Sequence, residues 1–259
     1  MKINREYCKA FLERYAPSLR GPVKRLYITI WSRIFSRKLP HLAQIYGTGK
    51  ATTQPYAEVY QYHFANRRHK SLRILEIGVG GYIDSQQGGN SLRMWKRYFP
   101  KSHIYGFDIE EKRHLSERRI TIFKGSQADE HFLKDLVAKA GSFDIIIDDG
   151  SHINDHVIFS FNFLFPFLSA DGIYAIEDTQ TSYWPKYGGD SYNLSRPSTI
   201  MGFFKNLADG LNYEEIARNN FSPSYQDKNI KSVHFYHNLV FVYKGQNKDG
   251  SKYAQQHCY

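Results

Sequence analysis

Cysteine and long apolar runs are both scarce in this sequence. The only two cysteines, Cys8 and Cys258, lie near opposite ends of the 259 residues. This arrangement matches neither a zinc-binding pattern nor the disulfide framework of a small secreted domain. No apolar run approaches the roughly 20 residues that cross a bilayer, and no secretory signal pattern is visible. We therefore expect a cytoplasmic protein that is long enough to bury a full core.

Acidic residues are scarce in the first forty positions. Ten lysines and arginines lie there against only Glu6 and Glu13, and the net charge of the whole chain is +10. The basic charge thus belongs to an N-terminal extension, and the remainder is nearly neutral. A nucleic-acid-binding protein often joins such a basic stretch to a recognisable reader module. The sequence contains no such module, so we expect no nucleic-acid partner.

The N-terminal extension has the pattern of two helices, at residues 2–16 and 23–38. Residues 20–22 (RGP) are predicted to separate them, and Pro40 to end the second. At a period of 3.6 residues, the apolar side chains of the second helix fall on one face and the basic ones on the other. This face has two interpretations. It packs on the rest of the protein or on a sister subunit, or it makes a peripheral contact with an anionic membrane surface.

From residue 72 onward, short apolar strands alternate with amphipathic helices. This alternation indicates βαβ units and a largely parallel sheet. The predicted strands are at residues 72–77, 103–108, 119–123, 143–148, 172–176, 231–236 and 239–244. The predicted helices are at residues 90–99, 128–140, 153–168 and 198–217.

The last two predicted strands are joined by only His237 and Asn238. They must be antiparallel, because a two-residue link cannot make a crossover. Seven strands that end in an antiparallel hairpin match the class I S-adenosylmethionine methyltransferase form of the Rossmann-like α/β fold, rather than the six-stranded dehydrogenase form. We predict an N-terminal helical extension at residues 1–45 and the methyltransferase domain at residues 46–259. Residues 179–197 carry no regular pattern and several aromatic residues, which is typical of a lid.

A glycine-rich turn follows the first predicted strand, in residues 74–81 (ILEIGVGG). Gly78 and Gly80 fit the start of the G-x-G-x-x-G dinucleotide fingerprint, but the third position is Ile83. The turn thus lacks the pattern that binds a pyrophosphate. This favours S-adenosylmethionine, because that ligand contains no pyrophosphate. Asp108 ends the second predicted strand, where a carboxylate can accept hydrogen bonds from both ribose hydroxyls. The alternative is that the glycines only turn the chain and Asp108 only caps the next helix.

Two predicted strands lead directly into acidic residues, in the segments 143–152 (FDIIIDDGSH) and 172–183 (GIYAIEDTQTSY). The carboxyl ends of parallel strands meet at one edge of the sheet, where ligands bind. Carboxylates gathered there repel one another unless a cation lies among them, and magnesium is the cation that such oxygens suit. Glu177 and Asp178 are adjacent, so both reach one ion only if the strand ends or kinks between them. The alternative is that one of the two caps or pairs.

Two histidines, one at the end of the first of these segments and one just after it, are spaced as on one face of a zinc-binding helix: His152 and His156. No third soft ligand accompanies them, so zinc is not expected. The preceding glycine and serine indicate that His152 lies before the helix. His156 is interpreted as an acceptor contact or, preferably, as a structural histidine.

Three longer segments resemble the macrocin O-methyltransferase family: residues 80–95 (GGYIDSQQGGNSLRMW), 148–152 (DDGSH) and 176–184 (IEDTQTSYW). The resemblance covers about residues 42–247 and leaves the basic helices outside. It implies Mg²⁺-dependent transfer of a methyl group from S-adenosylmethionine to a sugar hydroxyl. The acceptor would be a glycosylated natural product or a nucleotide-activated deoxysugar, and the enzyme a homo-oligomer.

The same resemblance assigns roles to individual residues. It implies that Asp149, Glu177 and Asp178 hold the metal and that His152 is the general base. Together with the glycine turn, it gives the predicted cofactor contacts: Glu76, Gly78, Gly80, Ser91, Asp108, Ser126, Gln127 and Asp149.

The chain departs from the family pattern at Gly49, Gln54 and Ser85. These positions bear on the acceptor and on the stiffness of the glycine loop rather than on the chemistry. Two alternatives stay open. One is a catechol-type O-methyltransferase acting on a vicinal aromatic diol, because the same metal chemistry would serve it. The other is a membrane-associated methyltransferase acting on a glycolipid or polysaccharide, which the basic helix at residues 23–38 suggests.

Overall fold

The computed structural model describes residues 20–51, 55–81, 84, 86–216, 218, 220–248 and 250. The predicted helix at residues 2–16, both cysteines, Gln54 and Ser85 lie outside the described residues. The chain divides into two compact units, Met1–His69 with Arg93–Pro100 and Lys70–Leu92 with Lys101–Tyr259. The predicted domain boundary between residues 45 and 46 stays a prediction.

The first unit is helical in its described part. Its elements are α1 (Arg20–Ile34), α2 (Leu39–Tyr46), α3 (Ala57–Phe64) and most of α4 (Asn90–Tyr98). Within it, the rings of Tyr60 and Trp95 pack edge to face at 5.2 Å between centroids, and those of Phe64 and Phe99 pack at a tilt, at 5.7 Å. Such aromatic pairs add to the burial of apolar area. The sequence pattern predicted α4 but neither α2 nor α3.

Pro22 and Pro40 of this unit lie within helices. Residues 20–22 already belong to α1, and their predicted role as a break after residues 2–16 falls outside the described residues. Pro40 lies in the first turn of α2, where its missing N–H breaks no hydrogen bond, and it does not end α1, which already stops at Ile34. Several apolar side chains of α1 are exposed: Val23, Leu26, Ile30 and Ile34. No helix in the described ranges is long and apolar enough to cross a membrane.

The second unit contains a seven-stranded sheet with the order β3-β2-β1-β4-β5-β7-β6. Its strands are β1 (Arg73–Ile77), β2 (His103–Asp108), β3 (Ile120–Lys124), β4 (Phe143–Asp148), β5 (Leu168–Glu177), β6 (Ile230–Tyr236) and β7 (Leu239–Lys244). Strands β1 to β5 are parallel to one another, and β7 is antiparallel to both β5 and β6. The predicted methyltransferase form of the fold, with its antiparallel hairpin at the end, is confirmed.

The helices of this unit are α5 (Glu130–Ala140), α6 (Asn154–Leu164), α7 (Ile200–Gly210) and α8 (Tyr225–Asn229). Two predicted helix ends were wrong. The first was placed at residue 168, but α6 ends at Leu164, because Pro166 follows within a 3-10 turn and has no N–H to donate to a carbonyl one helical turn earlier. The second was placed at residue 217, but α7 ends at Gly210, a poor helix former.

The order of the strands places the ends of four of them around one crevice. The chain passes from β3 at one edge to β4 beside β1, so the direction of winding reverses between β1 and β4. In open α/β sheets, ligands bind outside the carboxyl ends of the strands at such a reversal. Residues 145–147 of β4 and 173–176 of β5 are fully buried, as in a parallel sheet covered on both faces. Functional side chains are therefore expected only beyond the strand ends.

Candidate active site

The turn after β1 uses backbone conformations that glycine adopts most easily. Gly78 and Gly80 have φ angles of +89° and +73°. A Cβ atom at Gly78 would lie 2.2 Å from the carbonyl oxygen of Asp149. The Gly78 N–H donates to the Phe107 carbonyl at 2.9 Å, and the Asp149 N–H donates to the Ile77 carbonyl at 3.0 Å. The turn is therefore packed backbone to backbone against the ends of β2 and β4.

A cavity of about 380 Å³ opens beside this turn. Its wall comes from the carboxyl ends of β1 to β4, at the reversal in the sheet, and its volume suits a small-molecule ligand. Five predicted cofactor residues line it: Gly78, Gly80, Asp108, Ser126 and Gln127. The other three lie elsewhere: Glu76 is fully buried in β1, Ser91 is at the start of α4, and Asp149 is in the acidic cluster described below.

Asp108 joins the end of β2 to the glycine turn. One carboxylate oxygen accepts the Val79 N–H at 2.9 Å, and the other accepts the Glu110 N–H at 3.0 Å. A carboxylate oxygen can accept more than one hydrogen bond, so Asp108 retains acceptor capacity toward a ligand in the cavity. The alternative of a helix cap does not apply, because a 3-10 turn, Arg113–Leu115, is the next element.

Asp149, His152 and Asp178 form what we term the acidic cluster, beyond the ends of β4 and β5. One ligand atom of each lies within 4.8 Å of those of the other two. The Nε2 atom of His152 lies 3.9 Å from Asp149 Oδ1 and 3.6 Å from Asp178 Oδ2. The other ring nitrogen, Nδ1, is buried and has no hydrogen-bond partner in the described part of the chain. Nε2 is therefore the ring atom that faces the cluster.

Two members of the acidic cluster have a left-handed backbone. The φ angles are +56° at His152 and +54° at Asp178, in a region that costs a residue with a side chain about 1–3 kcal/mol. Asp178 directly follows Glu177, the last residue of β5, so the strand ends where both carboxylates were predicted to need a kink. Glu177 is buried and is not among the three clustered residues. Its role as a metal ligand stays a prediction.

The acidic cluster fits a magnesium ion by its donor atoms. Magnesium prefers oxygen ligands at about 2.0–2.1 Å and keeps several waters, usually with one or two carboxylates from the protein. Asp149 and Asp178 supply two carboxylates, whose ligand oxygens lie within 4.8 Å of each other. Zinc is disfavoured, because His156 is not in the cluster and its Nδ1 lies 3.1 Å from Ser151 Oγ. His156 is thus a histidine with a structural partner, and it also lines the cavity.

A buried polar network lies behind the loop that carries Asp149 and His152. The Gln127 amide donates to the Asp148 carboxylate at 3.1 Å and accepts the Ser151 N–H at 2.7 Å. The Ser160 hydroxyl also donates to Asp148, at 2.9 Å. Burial raises the pKa of Asp148 to about 6, and the hydrogen bond from Ser160 partly opposes the shift. Gln127 therefore shapes the cavity wall and holds the loop in place through the same amide.

The segment after β5 is anchored at its start. Asn154, fully buried in the first turn of α6, donates to the carbonyls of Thr181 at 3.1 Å and Tyr187 at 2.8 Å. Short 3-10 turns occupy Thr179–Tyr183 and Pro185–Tyr187. The predicted absence of regular structure over residues 179–197 was therefore wrong for the first half, which is folded against α6.

Lys112 and Asn154 contribute to this region but were not predicted. Lys112 is buried and lines the cavity, although it lies in the charged segment 110–114 (EEKRH). Nothing in that local pattern marks one of its charges as buried. Asn154 carried a weak signal, since it follows His152 closely and begins a helix. Both act through contacts with distant parts of the chain, which no short-range pattern encodes.

Comparisons with known proteins agree with this architecture. No protein-family profile matches the chain. The chain is 48% identical to demethylmacrocin O-methyltransferase of Streptomyces fradiae over 192 residues, which are 74% of this chain and 49% of that protein. It is 47% identical to mycinamicin VI 2''-O-methyltransferase of Micromonospora griseorubida over 192 residues, 74% of this chain and 48% of that protein. Over this region, the chain belongs to the macrocin O-methyltransferase family.

Solved structures from this family match the fold closely. The MycE methyltransferase of the mycinamycin biosynthetic pathway, in complex with Mg and SAH, has a TM-score of 0.80 at 45% identity, covering 82% of this chain and 55% of that chain. A second MycE complex, which also contains mycinamycin VI, has a TM-score of 0.79 at 44% identity, with the same coverage. The chain spans about half the length of the curated macrocin-family relatives that it matches.

Proposed function

We propose that this chain transfers a methyl group from S-adenosylmethionine to a sugar hydroxyl, with the help of Mg²⁺. The observation that supports this most is that one loop serves two sites. Gly150 and Ser151 line the cavity, whereas their neighbours Asp149 and His152 belong to the acidic cluster. A donor in the cavity and a metal in the cluster would thus be adjacent, as methylation of a chelated hydroxyl requires.

The MycE complexes support the choice of donor. They contain SAH, which is what remains of S-adenosylmethionine after it gives up its methyl group. We place the donor in the cavity beside Gly78 and Gly80, with its ribose hydroxyls donating to Asp108. Ser126 and Gln127 also line this cavity. Contacts from Glu76, Ser91 and Asp149 stay predictions.

The acidic cluster is proposed to hold the metal, as the Mg in the MycE complexes suggests. Asp149 and Asp178 would be its carboxylate ligands, and Glu177 is a predicted third. A magnesium ion held by these residues would supply Lewis-acid chemistry, which makes a bound sugar hydroxyl more acidic. Asp178 has a left-handed backbone just beyond β5, and its carboxylate lies 3.6 Å from His152 Nε2.

His152 is proposed to be the general base. Its Nε2 faces the acidic cluster and would take the proton of the acceptor hydroxyl. The hydroxyl oxygen then forms a bond to the methyl carbon while the bond from sulfur to that carbon breaks, and the sulfonium becomes the thioether of SAH. Positioning of the two reactants in line can contribute about 7–11 kcal/mol at best.

A turnover screen tests this proposal. The intact chain is incubated with S-adenosylmethionine labelled in its methyl group and with panels of macrolide glycosides, nucleotide-deoxysugars and simple catechols, with and without EDTA. We expect label in a sugar-containing acceptor and loss of transfer after EDTA that added Mg²⁺ restores. Transfer that survives complete metal removal would contradict the mechanism, and transfer to catechols alone would contradict the acceptor class.

The acceptor is proposed to be a small glycoside or nucleotide sugar, since the matched relatives are named for glycosylated macrolides and related products. Homo-oligomerisation, a peripheral membrane contact through residues 23–38, the cytoplasmic location and the domain division at residue 45 stay predictions.

A further inference from the structure

Lys112 is a buried cation whose hydrogen bonds all go to backbone carbonyls. It comes after β2 in the chain and is only 1% exposed. The ammonium group donates to the carbonyl oxygens of Gly81 at 3.1 Å, Asp84 at 3.1 Å and Gln87 at 2.7 Å. These three bonds use all three of its protons. A buried ammonium needs such bonds in place of water, so the three carbonyls and the cation hold one another in place.

The three carbonyls bracket the glycine loop, which we define as residues 81–87. The chain leaves the turn after β1 at Gly81 and returns to it at Gly88 and Gly89. The Gly89 N–H donates to the Val79 carbonyl at 2.8 Å. A Cβ atom on Gly88, which has a φ of +128°, would lie 2.6 Å from the Gly80 carbonyl oxygen. The two ends of the loop therefore lie against each other, and the Lys112 ammonium donates to the carbonyls of Gly81, Asp84 and Gln87.

Loop and cation border the proposed donor site. Gly80, Gly81 and Lys112 all line the cavity. We propose that Lys112 is a positioning residue that holds the glycine loop in the shape that accepts the methyl donor, an inference that rests on the proposed function. It acts through the backbone, because its protons are already used. Without it the loop adopts its competent shape only part of the time, and the apparent affinity for the donor falls by that fraction.

Lys244 provides a matched control in the same unit of the protein. It too is buried, at 8% exposure, and it donates to three backbone carbonyls, those of Phe165, Pro166 and Leu168, at 3.1, 2.8 and 2.6 Å. Neither Lys244 nor any of its three acceptors lines the cavity. Replacing either lysine removes the same kind of interaction and destabilises the fold. Only the replacement of Lys112 is expected to weaken donor binding in addition to destabilising the fold.

The test is isothermal titration of SAH into the intact wild type, Lys112→Met and Lys244→Met, together with the thermal midpoint of each. We expect Kd for SAH to rise about tenfold in Lys112→Met, as for a loop that is competent about a tenth of the time, and to stay within about twofold in Lys244→Met. Lys112→Gln, which retains two donated hydrogen bonds, should fall between wild type and Lys112→Met. Equal affinities in both methionine variants would overturn the inference. A wild type that does not bind SAH would instead overturn the proposed function.

Hydrogen exchange of the wild-type protein gives a second readout, which does not require any variant to fold. If Lys112 preforms the loop, the amides of residues 86–89 exchange slowly before SAH is added. Rapid exchange that slows only when SAH binds would show that the ligand, and not the lysine, orders the loop.

Discussion

The donor cavity and the acidic cluster share a loop but are built in different ways. The cavity wall includes a backbone turn of glycines with positive φ and a lysine that donates to three backbone carbonyls beside it. The cluster is built from side chains, two of which stand on left-handed residues just beyond a strand end. The first region should therefore be sensitive to added atoms, and the second to lost charge. A change in one should leave the function of the other intact.

Loss of one carboxylate from the acidic cluster should have the largest effect. Asp178→Asn keeps the shape of the side chain, and asparagine tolerates the left-handed backbone at this position. Because a metal ligand is lost, we expect turnover to fall about a thousandfold, while Kd for SAH stays within about twofold. Labelled-methyl transfer and calorimetry measure the two. Asp155→Asn, in the first turn of α6 and outside the cluster, is the control. Turnover near the wild-type rate in Asp178→Asn would contradict the proposed metal site.

Replacement of His152 should have the next largest effect. His152→Asn again suits a left-handed residue but removes the base, and general base catalysis contributes about 100-fold or more. The rate of a single turnover should fall by that factor, whereas SAH affinity and Mg²⁺ dependence are retained. If the variant turns over at nearly the wild-type rate, the proton goes to another group.

The pH dependence of stability tests the network behind the loop. Burial raises the pKa of Asp148 to about 6 from a usual value of 3.8, so between these values the folded chain holds a proton that the unfolded chain has lost. Stability from this group is present below about pH 4 and is lost as the pH rises through 6, by up to about 3 kcal/mol.

Urea unfolding at pH 4 and pH 7 measures this effect. We expect Asp148→Asn to flatten the decline with rising pH relative to wild type, since asparagine has no proton to lose. Parallel curves for the two proteins would show that Asp148 ionises normally in the folded chain.

The contact between the two regions is tested by Gly78→Ala. The added Cβ meets the Asp149 carbonyl oxygen at 2.2 Å and the backbone has a positive φ, so we expect a loss of about 2 kcal/mol in stability and weaker SAH binding. Gly188→Ala shares a positive φ, of +79°, but its Cβ has no neighbour closer than 4.0 Å. This variant therefore measures the cost of the left-handed backbone alone. Equal losses in the two variants would mean that the close approach at Gly78 carries no cost.

The sequence predicted those features that depend on short-range pattern or on sheet topology. Apolar strands alternating with helices predict the parallel sheet, and the two-residue link at His237 and Asn238 predicts the antiparallel end. Since parallel strands end at one edge, the residues after β4 and β5 could be expected to meet there, as Asp149, His152 and Asp178 do.

What could not be predicted depends on contacts between distant residues. Lys112 reaches a loop that lies more than twenty positions earlier in the chain, and no local periodicity distinguishes it from its exposed charged neighbours. The different roles of the adjacent carboxylates Asp148 and Asp149 could not be predicted either. Asp148 forms hydrogen bonds with Gln127 and Ser160 inside the fold, whereas Asp149 belongs to the acidic cluster. Neighbouring residues of a strand point to opposite sides, but which of the two faces the cluster can be predicted only when the end of the strand is known.

The most direct test of the account is a titration of the intact chain with Mn²⁺, a paramagnetic substitute for Mg²⁺, followed by water-proton relaxation in the presence of SAH. We expect one site in the wild type from which Mg²⁺ displaces Mn²⁺, and no such site when Asp149 and Asp178 are both replaced by asparagine. The same Mn²⁺ binding in both proteins would contradict it.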